Sequence, residues 1–283
     1  MQLFVGFTIK KFSFTNNIFM EKDFSCTDMA VEFCSHKHHR DDGVIKYYEV
    51  TVDEQTSCKI GKPCGKYATL ETSAVINGDI AEYGRVTDAL SKCLKSYCKG
   101  CGKVMVVGLG NPDLTADALG DRVFKRLSVN RHLSGGDMAE KYLCALTPNV
   151  LGMTGIESFD IISAVADRVK PDVIVVVDAL TAAAAGRIAT AFQVTDSGIT
   201  PGSGVENHRR RLDKKSLGIK TVSVGVPLVV YASTIVRDYC ECDEALRGDM
   251  IVTPKDVDIL VEDCAKIISG AINGAFNGKA AIV

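Results

Sequence analysis

Tryptophan is absent from the chain, and phenylalanine and tyrosine bring the aromatics to only 7% of its residues. A core must therefore be filled mainly by aliphatic side chains, and 46% hydrophobic content over 283 residues is enough for one large domain, or for a domain with an appendage. An excess of either charge is missing too. With 33 basic and 35 acidic residues the formal charge is -2, so there is no net field to draw nucleic acid or an anionic membrane. No apolar run is long enough for a bilayer: residues 173–185 form the longest, interrupted by Asp178 and short of the roughly 20 residues a span requires. A disulfide framework is lacking as well, because the eleven cysteines are odd in number and fall in no repeated pattern. Reduced thiols in a cytosol are expected. Residues 1–19 carry Lys10 and Lys11 among Phe and Ile but have no continuous apolar centre and no small-residue cleavage site, so they do not form a signal peptide. They read as an upstream extension ahead of Met20.

What is present divides near residue 103. The first hundred residues are polar and irregular, with a helix expected near Thr27 to His36, a strand over Lys46 to Asp53 and a Gly/Pro/Cys loop around Lys59 to Gly65. This predicts an N-terminal appendage over residues 24–102, packed on a core over residues 103–283. The core opens with VMVVGLG, an apolar run closed by glycines, and continues into a helical pattern at Ala118, Leu119, Val123, Phe124 and Leu127. Residues 142–146, 173–177 and 220–226 read as further buried strands, with a helix over residues 156–169 and a terminal amphipathic helix that carries Pro254 in its first turn. Strands alternating with helices predict an α/β fold with a mostly parallel twisted sheet and helices on both faces.

In such sheets ligands bind beyond the carboxyl ends of the strands. Two aspartates stand there. Asp178 directly follows VIVVV, where poor hydration would favour its protonated form. Asp117 falls in the first turn of the helix after VMVVGLGN, with Thr115 or Asp113 able to cap it, and helix amides would favour its ionised form. A pair split in this way could activate a water with one member and protonate a leaving amine with the other. Taken singly, an aspartate in a first helical turn is often no more than a favourable charge, so spacing alone does not make the pair catalytic.

The motifs VVGLGN, TADALG, LTPNVLGMTGIES, PDVIVVVDALTA, TDSGITPGSGV and VGVPLVV, in this order, resemble the germination proteases of endospore-forming bacteria. CTDMAVE near residue 26, GKPCGKYATLE and IVTPKDVDILVED extend the resemblance from about Met20 to about Asn273. It implies a fold similar to hydrogenase-maturation endopeptidases and an endopeptidase that cleaves small acid-soluble spore proteins in the cytoplasm of the spore core. It further implies a self-processing zymogen that assembles as a homotetramer and needs no cofactor. The two family aspartates fall on Asp117 and Asp178. Ala116 stands where the family has proline, and VDALTAA lacks an arginine found in the family's run. Family cleavage sites place an acidic residue before a large apolar one, which at Asp23-Phe24-Ser25 implies a cut after Asp23 and a leader of residues 1–23.

Other assignments compete. A dinucleotide fingerprint fails because Gly108 and Gly110 are followed by Asp113 where a third glycine is needed. VVGLGNP with Arg131-His132 also resembles peptidyl-tRNA hydrolases, which leaves an esterase of that kind as the alternative. Ser203 and His208 could form a serine mechanism, yet the Gly-X-Ser-X-Gly elbow is missing. Cys93, Cys98 and Cys101 lack a second CxxC at zinc-finger spacing and read as a surface thiol cluster, while His36, His38 and His39 are expected to face solvent. A non-enzymatic spore protein is the remaining reading, in which both aspartates are incidental.

Overall fold

A computed structural model describes residues 27–33, 38–135, 139–202, 209–239 and 250–277. The expected leader, the cut after Asp23, His36, Ser203 and His208 lie outside these residues. In chain order the elements are β1 (His38–Asp41), β2 (Lys46–Val52), α1 (Glu54–Ile60), β3 (Gly65–Glu71), α2 (Ile80–Tyr97) and β4 (Lys103–Gly108). There follow α3 (Leu119–Phe124), β5 (Tyr142–Leu146), α4 (Leu151–Thr154), α5 (Ser158–Val169), β6 (Val173–Thr181) and β7 (Ala191–Thr195). The chain closes with α6 (Lys214–Leu217), β8 (Lys220–Tyr231), α7 (Ala232–Tyr239), β9 (Ile251–Val252) and α8 (Val257–Phe276).

One sheet runs in the order β1-β2-β3-β7-β8-β6-β4-β5, with β9 added to β8. Its β5-β4-β6-β8 part is parallel. From β8 outward through β7, β3, β2 and β1 every pairing is antiparallel, so the sheet as a whole is mixed. Residues 24–102, in their described part, pack on the core by continuing this sheet and by laying α2 against α8.

The Val-rich strands are buried on both faces, which is why they read as unbroken apolar runs. Val104, Val106, Val173, Val175 and Val177 pack with Leu90 and Leu94 of α2, Leu119 of α3 and Ile268 and Ile272 of α8. The alternate residues Met105, Val107, Ile174 and Val176 pack with Phe159, Ile162 and Ala166 of α5. Helices thus cover both faces, and each buried Leu, Ile or Phe contributes about 2 kcal/mol by leaving water.

Three local expectations are corrected. The helix near Thr27 to His36 is, among the described residues, only a 3-10 turn at Ala30–Glu32. Contacts with the sheet take the groups a helix would use: Asp28 N–H donates to Thr181 O (2.9 Å), Ala30 N–H donates to Gln193 Oε1 (2.9 Å), and Glu32 Oε2 accepts from Ala183 N–H (2.9 Å). The thiol cluster is not at the surface. Cys93 of α2 and Cys98 just after it are buried in the main core and Cys101 is half-buried against it, and burial pushes the Cys93 and Cys98 thiols up to about 12. Finally, Pro254 precedes the terminal helix by three residues instead of lying in its first turn. His39 is exposed as expected.

Candidate active site

Strand lengths create the site. β4 ends at Gly108, which pairs with Val177, while β6 continues beside β8 through Asp178 opposite Gly225 and Leu180 opposite Pro227. Asp178 is therefore the first residue of β6 beyond the end of β4. The sequence suggested a strand ending at Val177, but β8 prolongs it to Thr181, and the rim position of Asp178 comes from the shortness of β4 instead. Its side chain is nearly enclosed, at 6% exposure.

Asp117 is brought opposite by the turn after β4. It closes a 3-10 turn at Thr115–Asp117, ahead of α3, with neither Thr115 nor Asp113 capping. The amide that Asp117 meets is instead that of Asn111, whose backbone N–H donates to Asp117 Oδ2 at 2.8 Å. Glycines permit the close approach. Gly110 has φ +101°, and a Cβ there would overlap the carbonyl oxygen of Asp117, while Gly108 and Gly120 lie backbone to backbone with no room for a side chain on either. The GLG of the strand end and the LG of TADALG are thus one interlocked contact.

Asp117 and Asp178 line the same cavity, of about 370 Å³, together with Asp28, Arg209, Leu109 and Leu114. A smaller cavity of about 130 Å³ adjoins it, lined by Lys62, Tyr67, Gln193, Ser197 and Arg211, and Asp28 and Leu180 line both. Electrostatics separate the two carboxyls. Burial pushes Asp117 above the ordinary carboxylate range, against the Asn111 amide and the Arg209 charge, so the helix-end environment does not lower it as its position suggested. Asp178 is pushed well above that range, by burial first and then by the charges of Asp117 and Asp28, with the Ala179 amide and Arg209 opposing. When the pair holds one proton, Asp178 is the group that keeps it.

Sequence reading missed Asp28 and Arg209 as parts of this cavity. Asp28 stands within CTDMAVE and Arg209 within a basic run, and neither has a strand end or a helix start beside it to mark it. His132, which the esterase alternative requires, is exposed and does not line the cavity. Among the described residues no group of three or more His, Cys, Asp or Glu is placed to hold a metal ion, and no helix is long and apolar enough to cross a membrane.

Comparison with known proteins identifies a family. The family model described as germination protease matches residues 15–242. A germination protease of Clostridium acetobutylicum is 35% identical over 87% of this chain and 93% of its own length. One from Bacillus velezensis is 40% identical, with 85% of each chain covered. Among solved structures, a NiFe hydrogenase maturation protease from Thermococcus kodakarensis overlaps 64% of this chain and 99% of its own at 19% identity, with a TM-score of 0.37, too distant a likeness to bear on chemistry. On the length of the family match and the identity to its members, the chain belongs to the germination protease family.

Proposed function

We propose that this protease is an endopeptidase that begins the breakdown of small acid-soluble spore proteins at germination, with Asp117 as general base and Asp178 as general acid. The observation that supports it is the shared cavity: two carboxyls line one partly apolar space, and burial with like charge keeps the proton on Asp178. In this reading a water held at Asp117 loses a proton to that carboxylate as its oxygen attacks the scissile carbonyl carbon. The tetrahedral intermediate then collapses as Asp178 gives its proton to the leaving nitrogen and the C–N bond breaks. Arg209, which lines the same cavity, offsets part of the negative charge. Exchange with water afterwards returns the proton from Asp117 to Asp178.

The proposal includes the biology implied by the family: a zymogen that removes its own leader, by a cut between Asp23 and Phe24, and a homotetramer working in the spore core. The test is a peptide with Glu-Ile or Glu-Phe between small residues, incubated with the protein and with Asp117→Asn and Asp178→Asn variants. Wild-type cleavage with a loss of about 1000-fold or more in each variant is the expected result. If both variants cut at the normal rate, the two-aspartate mechanism is wrong.

A further inference from the structure

We infer that the smaller cavity is a substrate subsite, the pocket for a carboxylate side chain next to the scissile bond, and that Lys62 is its specificity-determining residue. The inference rests on the endopeptidase reading of the larger cavity. Leu180 and Ile199 line both spaces, so a peptide chain crossing them puts neighbouring side chains into different pockets. The larger pocket is apolar along Leu109, Leu114, Val150 and Val229, and suits a large aliphatic or aromatic side chain. The smaller one presents cations and hydroxyls through Lys62, Arg211, Tyr67, Thr195 and Ser223, and suits an anion.

The sheet builds that polarity. Tyr67 of β3, Thr195 of β7 and Ser223 of β8 stand opposite one another in register, which puts three hydroxyls in one row on one face. Gly225, two residues further along β8, is opposite Asp178. Strand rise therefore sets the hydroxyl row about 7 Å from Asp178 on the same face, the reach of one extended side chain. Gly225 adds no side chain to that interval, and a Cβ there would overlap Leu180. Tyr67 OH donates to Pro63 O at 2.7 Å and Thr195 Oγ1 to Ser197 Oγ at 3.0 Å, whereas Ser223 Oγ has no hydrogen-bond partner although the residue is only 4% exposed. A buried hydroxyl left so is destabilising, and an entering carboxylate is the acceptor it lacks.

The two cations differ in a similar way. Arg211 Nε lies 2.6 Å from Asp213 Oδ2, so the core already answers its charge. Lys62 is 16% exposed, and the acids that act on it, Asp28 and Glu32, both come from the segment around the 3-10 turn. Its contacts with Thr27 O and the Phe33 ring come from there too. Among the described residues no carboxylate from outside that segment pairs with it. A buried ammonium without a carboxylate from the core is the group whose partner a ligand can supply. None of the five pocket residues belongs to that segment, so the subsite does not depend on it.

The experiment compares two peptides, alike except for Glu-Phe or Gln-Phe at the cleavage position, by kcat/KM and by fluorescence anisotropy with the self-processed protein. Wild type is expected to favour the glutamate peptide by about 30-fold, the scale of hydrogen bonds to a charged group. Lys62→Met should bring that ratio near unity by loss on the glutamate peptide alone, and Lys62→Arg should keep it. A wild type that cuts both peptides equally, or a Lys62→Met variant that loses rate on both with the ratio intact, overturns the subsite. Should Lys62→Met fail to fold or to process, Ser223→Ala, which removes only an unpartnered hydroxyl, should lower the ratio by about fivefold, and an unchanged ratio is refutation. Binding separates this inference from the reading beneath it. A protein that binds the glutamate peptide more tightly by the same ratio but cuts neither keeps the subsite and refutes the endopeptidase reading. One that cuts both at a single rate keeps that reading and refutes the subsite.

Discussion

Replacing Gly110 with alanine tests whether the glycine interlock is what positions Asp117. At φ +101° a residue with a Cβ is strained by about 1–3 kcal/mol, and Gly110 has such a φ. The added carbon would also lie far inside the 3.4 Å at which ordinary contact begins, against the carbonyl oxygen of Asp117, and would come 3.0 Å from its Oδ1. That overlap is with backbone, so it cannot be relieved by a side-chain rotation and adds about 1–3 kcal/mol of overpacking. A loss of about 4 kcal/mol in folding stability is expected, measured by urea denaturation. The turn must also shift by a large fraction of an ångström, and a misplacement of that size at a catalytic group costs about 100-fold in kcat. Gly218→Ala is the control. Gly218 has φ +70° with nothing within 4 Å of an added Cβ, so it should lose about 1 kcal/mol and keep wild-type kcat in the peptide assay. If Gly110→Ala matches Gly218→Ala in kcat, then either the interlock does not place Asp117 or Asp117 does no chemistry.

Asp178→Asn should be inactive and yet more stable than wild type as pH rises. A carboxyl whose proton affinity is raised by folding contributes most below the ordinary carboxylate range and loses that contribution as pH climbs through its folded pKa, so the gap in unfolding free energy should widen with pH and reach on the order of 1 kcal/mol. A gap independent of pH would show that Asp178 is not the group holding the proton. Asn273→Ala should destabilise without touching catalysis. Asn273 is 1% exposed, accepts from Ser128 N–H at 2.9 Å and donates to Arg126 O at 3.1 Å, joining α8 to the chain after α3. Leaving those two backbone groups unpaired costs about 2–4 kcal/mol in a urea melt, with kcat of the folded fraction unchanged. An unchanged melt would mean the two bonds contribute nothing.

The central strands of the parallel half were legible because they are buried on both faces and so spelled as uninterrupted apolar runs, as residues 173–177 show, and the half-buried edge strand over residues 142–146 kept its bounds in the fold. The end of β6 was not legible. Its length depends on how far β8 continues beside it, a pairing between residues more than forty positions apart. The turn at Ala30–Glu32 was misread as a helix for a related reason: its backbone and side-chain partners are Thr181, Ala183 and Gln193, all distant in the chain. Cys93 and Cys98 looked exposed in CLKSYCKGC, since spacing did not reveal that Cys93 would face Tyr47 and Glu49 of β2 and Cys98 would lie near Lys220 of β8.

By itself the sequence determined the α/β class, the family and the two aspartates at a strand end and a helix start, because periodicity, glycine placement and motif order are local properties of the chain. Tertiary structure decided that those aspartates share one cavity, that Asp178 binds the proton more tightly and that Asp28 and Arg209 stand beside it. The physical reason is that burial and charge–charge energies depend on distances across the fold. Asp28 and Asp178 are 150 positions apart along the chain, and only the registration of the N-terminal segment against β6 makes them neighbours.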